Sequence, residues 1–161
     1  MIVLWLLLSC RSTLRLCTDG CAGLSALPRS IGQLGNLEHL GVSSCNQLVS
    51  LPESLGELSS LKSLTVVDCE DLRALPRTIG DLTSLQQLTI SCCGRLRSLP
   101  ESLGRLASGH HGRLQCVTIN GCDSLQLPIS LEPLKESITP GCMAGAVTAR
   151  VIAAWRGDDG L

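Results

Sequence analysis

The chain contains no phenylalanine and no tyrosine, and its two tryptophans, Trp5 and Trp155, stand near its ends. An ordinary globular core uses several large rings, so the interior here is built from aliphatic side chains. There is no excess of charge of one sign either: 13 basic residues face 14 acidic ones, a formal net charge of −1. That balance speaks against nucleic acid or an anionic membrane surface as a charge-driven partner. The longest apolar run, within residues 1–10, falls far short of the ~20 residues needed to cross a bilayer, so no membrane span is expected. Neither HExxH, CxxC, GxSxG nor GxGxxG occurs, and there is no GxxxxGK[ST] phosphate loop. The chemistry those motifs support is therefore not expected: no enzyme, no nucleotide, no cofactor and no metal centre. Ten cysteines are about 6% of the chain, below the density of a small disulfide scaffold.

Leucine is what the chain has in abundance, 32 of 161 residues. One branched side chain used this often suggests one packing solution repeated, and self-comparison bears on that directly. Leu-Pro occurs at Leu27-Pro28, Leu51-Pro52, Leu75-Pro76 and Leu99-Pro100, spaced by 24 residues, and again at Leu127-Pro128 after 28. Cysteine keeps the same frame at Cys21, Cys45, Cys69, Cys93 and Cys122. Leu16, Leu40, Leu64, Leu88 and Val117 form one apolar column, and Val42, Val66, Ile90 and Ile119 another. Leu37, Leu61, Leu85 and Leu114 form a third; Ile31, Leu55, Ile79 and Leu103, and Leu34, Leu58, Leu82 and Leu106, follow each Leu-Pro. The unit reads LxxLx[VI]xxCxxLxxLPxx[IL]Gx.

Within each unit the period changes once. Leu40 and Val42 alternate as in a strand, whereas Pro52 to Leu58 has a spacing of three, as in a turn of helix or 3-10 helix. Each unit is thus a short strand, a turn and a short helical piece. Strands are predicted near 15–18, 39–43, 63–67, 87–91 and 116–120, stacked in parallel about 4.8 Å apart. The fold class is an α/β solenoid with a curved parallel sheet on its concave side and helical or 3-10 segments on its convex side. A single unit buries too little to offset the ordering of its own backbone, so units stand only in a stack.

Stretches such as LPESLGELSSLKSLTVVDCEDLRAL, Leu51 to Leu75, resemble a leucine-rich repeat protein, and more narrowly the repeat region of plant nucleotide-binding leucine-rich-repeat disease-resistance receptors. Cysteine in the ladder slot carries the narrower likeness, since the intracellular Ras-group and extracellular receptor-kinase repeats usually place asparagine there. The resemblance implies a non-enzymatic protein-recognition module of the immune-receptor type, acting in the defence response from the cytoplasm on a protein partner. The ATPase module of those receptors has no counterpart here. The alternatives are a structural remnant or truncated receptor fragment without independent binding, and a secreted or membrane-attached repeat protein if residues 1–10 act as a signal.

Three regions result: a degenerate cap or hydrophobic leader at 1–12, a repeat domain of about five units at 13–134, and a tail or cap at 135–161. Leu7 and Cys10 fall one unit before Ile31 and Leu34, as in the convex half of a decayed unit. Met143, Val147, Val151 and Trp155 have helical spacing but share their segment with Gly141 and Gly145. Residues 109–113, with His110 and His111, interrupt the period as a tolerated bulge or, less simply, a metal or partner contact.

The ladder cysteines read as small hydrophobes inside the solenoid. Cys17, Cys92 and Cys116 fall on the concave side as free thiols or zinc ligands. Arg29, Glu53, Arg77 and Glu101 follow successive Leu-Pro pairs, so alternating ion pairs between neighbouring units are expected. The strand alternation turns His39, Ser43, Ser63, Thr65, Asp68, Gln87, Thr89, Ser91, Thr118 and Asn120 outward as the candidate protein-binding face. It is small, polar and nearly uncharged, with Asp68 its most central charge. Its projected area is on the order of 400 Å², against about 800 Å² per partner in a standard interface.

Overall fold

A computed structural model describes residues 15–108, 113–126 and 138–139. The readings of residues 1–12, of His110 and His111, of Leu127-Pro128 and of the helical stripe at 143–155 lie outside the described residues. Five strands recur where the apolar residues alternate: β1 (Arg15–Asp19), β2 (His39–Ser43), β3 (Ser63–Val67), β4 (Gln87–Ser91) and β5 (Cys116–Asn120). A two-residue β6 (Ile138–Thr139) follows, and the sheet order is β1-β2-β3-β4-β5-β6. Every pairing is parallel, with Leu16, Leu40, Leu64, Leu88 and Val117 opposite one another. The columns of the repeat are therefore rows of physical neighbours. β6 pairs Ile138 with Ile119 and Thr139 with Asn120, so the sheet reaches into the segment read as a tail.

Each of β1 to β5 is followed by a left-handed residue: Gly20, Ser44, Asp68, Cys92 and Gly121, with φ between 53° and 66°. The N–H of that residue crosses to the next strand, Ser44 to the Val67 carbonyl at 2.9 Å and Asp68 to the Ser91 carbonyl at 3.0 Å. The ladder cysteine follows at once and turns the chain inward. Cys45, Cys69 and Cys93 are fully buried, and each Sγ donates to the carbonyl two residues back, at 3.4–3.5 Å. Cysteine here fills space and satisfies a turn carbonyl. Burial pushes the Cys69 thiol up, and a hydrogen bond with Cys122 together with burial does the same at Cys93, so these groups stay protonated.

On the opposite side, Ala26, Ser50, Ala74, Ser98 and Gln126 form a second parallel ladder of single bridges. Extended prolines then open 3-10 helices at Arg29–Gln33, Glu53–Glu57 and Arg77–Asp81. Proline suits this place because its carbonyl is needed and its N–H is not: Pro52 accepts from Leu55 N–H at 3.0 Å. In the next unit an α-helix, α1 (Leu103–Ser108), takes over.

The glycine of each helical turn is a spacing device. A Cβ on Gly56 would lie 2.5 Å from Thr78 Cβ and 2.6 Å from the Thr78 carbonyl, and Gly32 and Gly80 face Ser54 and Ser102 as closely. Absence of a side chain lets successive turns approach, and Thr78 and Ser102 hydroxyls then donate 2.6 Å bonds to the Glu53 and Arg77 carbonyls.

The Arg29–Glu53–Arg77–Glu101 column does not form its expected ion pairs among the described residues. Glu53 instead receives the backbone N–H groups of Arg77 (3.2 Å) and Thr78 (3.1 Å), which open the next 3-10 helix. Desolvation raises its pKa, but the Thr78 and Arg77 N–H groups, the Thr78 hydroxyl and the Arg77 charge outweigh it, and the net shift is downward. Free N–H groups at a helix start offer a carboxylate better geometry than a mobile guanidinium does.

Candidate functional site

The sheet has one buried face and one open face. Leu40, Leu64, Leu88, Val42, Val66 and Ile90 point into the core and are at most 1% exposed. The alternate residues form three outward rows fixed by the strand register. Arg15, His39, Ser63, Gln87 and Cys116 make the first. Cys17, Gly41, Thr65, Thr89 and Thr118 make the second, and Asp19, Ser43, Val67, Ser91 and Asn120 the third. His39, Ser43, Ser63, Thr65, Thr89 and Ser91 are half-buried, and Gln87 is exposed. The structure brings these seven onto one surface spanning β2 to β4. Gly41 leaves a dip there, where a Cβ would meet the Cys17 sulfur at 3.3 Å.

Three of the expected face residues stand differently. Thr118 and Asn120 are buried, at 4% and 9% exposure, and do not belong to the open surface. Strand alternation states which way a side chain points; whether solvent reaches it depends on what else packs there. Asp68 is exposed but sits in the left-handed turn after β3, at the rim. A short polar side chain tolerates that conformation better than a branched one, which is a backbone reason for the residue independent of any ligand. Cys92, expected as a free thiol or zinc ligand, is disulfide-bonded. Cys17 is a free, exposed thiol, and Cys116 a free, half-buried one whose sulfur lies 3.7 Å from Thr118 Oγ1. Among the described residues no group of three or more His, Cys, Asp or Glu is arranged to hold a metal ion, and no helix is long and apolar enough to cross a membrane.

Charges flank the face rather than fill it. Lys62 Nζ lies 2.7 Å from Glu38 Oε1, one residue before the strands, and Arg105 lies 3.7 Å from Asp81. Arg95 also pairs with Asp71. All three join opposite charges 24 residues apart, one repeat length, a spacing present in the sequence. What the open face offers is hydroxyl, amide and imidazole groups on a rigid lattice, suited to hydrogen bonding.

Residues 11–117 match the model of a family described as leucine-rich repeat region. No curated protein matches the chain. Among solved structures, a leucine-rich repeat protein of Leptospira interrogans, LIC12759, is similar at 26% identity over 87% of this chain and 39% of that one, with a TM-score of 0.46. The leucine-rich repeat domain of the type III effector XCV3220 (XopL) is similar at 20% identity over 83% of this chain and 68% of that one, with a TM-score of 0.41. The chain thus spans about two fifths of the length of the Leptospira protein, 39%. With a family model matching about two thirds of its length, over strands, ladder cysteines and Leu-Pro turns alike, the chain belongs to the leucine-rich repeat family.

Proposed function

We propose that the chain is a non-enzymatic protein-recognition module that binds through the open face of β2 to β4. The observation carrying this is the division of labour along each strand. On β2 to β4 the core-facing strand positions are all aliphatic, whereas two of the three outward rows differ from unit to unit: His39, Ser63 and Gln87 in one, Ser43, Val67 and Ser91 in the other. A lattice that keeps its core side chains aliphatic across these strands and varies where it meets solvent is suited to reading a partner. The finer assignment is to a module of the plant immune-receptor type, working in the cytoplasm without nucleotide; its support is the cysteine ladder and its likeness to those receptors. Seven free cysteines among the described residues favour a reducing compartment. A second reading, a secreted module, draws on the disulfide at Cys92.

The test is capture of protein partners by the full chain and by Ser63→Arg and Thr89→Arg, with thermal unfolding followed in parallel. Capture lost with the melting curve unchanged supports the open face. A partner held equally by wild type and both variants refutes it. Thiol labelling of Cys92 in freshly extracted protein decides between the compartments.

A further inference from the structure

We propose that the flank groove around Arg97 is a second docking surface, and that it takes an acidic, extended segment of a protein partner. Two grooves of similar build run between the single-bridge ladder and the proline turns. In the first, Arg29 and Arg77 face Glu53 and Glu57, two charges against two. The second, about 930 Å³, gathers Arg77, Arg97 and Arg105 against the single carboxylate of Glu101. All three arginines are exposed.

The row beside this groove differs from the three rows in which ion pairs join neighbouring units. The ion pairs Glu38–Lys62, Asp71–Arg95 and Asp81–Arg105 set opposite charges on adjacent rungs. Arg97 N–H, however, donates to the Arg73 carbonyl at 3.2 Å, so two arginines stand on adjacent rungs. Neither has an ion-pair partner among the described residues. Like charges so placed repel, and an incoming carboxylate would relieve that repulsion while using the fork geometry of guanidinium. Arg105 is only loosely held, 3.7 Å from Asp81. The floor is small, Ala74 and Ser98, both exposed, so an extended backbone has room to lie against it. Glu101, Asp71 and Asp81 border the arginines, and a continuous polyanion such as nucleic acid would run into them. A short acidic peptide can set its few carboxylates on the arginines, which outnumber the one carboxylate of the groove three to one.

The experiment is fluorescence anisotropy of a labelled Asp/Glu-rich peptide with the full chain at low salt, with a Lys-rich peptide, single-stranded DNA and inorganic phosphate as comparisons. Saturable binding of the acidic peptide is expected, weakened about fivefold by Arg97→Gln and about twentyfold by Arg73→Gln with Arg97→Gln. Arg29→Gln, in the balanced groove, should change it by less than about twofold, and added salt should weaken it. Circular dichroism establishes that the variants remain folded. No saturable binding, equal loss in Arg29→Gln, or binding of DNA or phosphate as tight as the peptide would each overturn the proposal.

Discussion

The first unit and the middle units carry the same pattern and do not have the same interior. In the middle, Leu64, Val66, Cys69 and Leu72 are completely buried. At the corresponding places of the first unit, Leu16, Cys21 and Leu24 are only partly buried, and Thr18 stands in the valine column. Thr18 is buried but polar, and its hydroxyl reaches the Gly41 carbonyl at 3.5 Å and the Cys45 sulfur at 3.8 Å. Identical letters thus have different worth. A leucine in a solenoid is buried by the units on either side of it, so its contribution depends on its neighbours as well as on its type.

The largest effect that sharpens this contrast is leucine truncation. Leu64→Ala should cost about 2–5 kcal/mol through the cavity it leaves, and Leu16→Ala roughly 1–2 kcal/mol because part of that side chain already meets water. Urea unfolding of the two variants measures the gap directly.

A glycine pair comes next. Gly56→Ala pushes a methyl into the Thr78 backbone and should cost about 1–3 kcal/mol. Gly35→Ala meets nothing within 4 Å and should be neutral or slightly stabilising in the same melting experiment.

A smaller effect separates backbone from ligand at Asp68. At φ 53°, Asp68→Gly should be more stable than Asp68→Ala by about 1 kcal/mol. Equal stability of the two would return Asp68 to a purely solvent-facing role.

The smallest concerns Glu53. Its carboxylate is exposed, so solvent screening limits the cap to at most about 1 kcal/mol. Its folded pKa lies below the ordinary value, so the contribution is complete above the unfolded carboxylate pKa and is lost as pH falls through the folded one. Glu53→Gln should therefore be less stable than wild type near neutral pH, with the gap closing below about pH 4. A gap that persists in acid would assign the loss to packing instead.

How much of this was legible beforehand follows from what residue type records. Leucine, valine and cysteine columns record burial and period, so all five strands and their register could be read from them, β1 to within a residue. The helical turns were legible from the spacing of Pro52, Leu55 and Leu58. The role of Gly56 is not legible, because it is a distance to the next unit and no single unit contains that distance. Glu53 showed a charge but not which donor would claim it. Asp68 serves a turn and a surface with the same side chain, and nothing in its identity separates the two. Thr118 and Asn120 pointed the right way on paper, yet direction is not exposure. β6 is two residues long, too short to carry a pattern.

The central claim is that stability in this stack comes from flanking units, and that β3 is better supported than β1. Native-state hydrogen exchange tests it most directly, by comparing amides of β3, such as Val66, with those of β1, such as Thr18. The account predicts slower exchange on β3 than on β1, with the difference shrinking once Leu64→Ala is introduced. Exchange on β1 as slow as on β3 in the unmodified chain would contradict it.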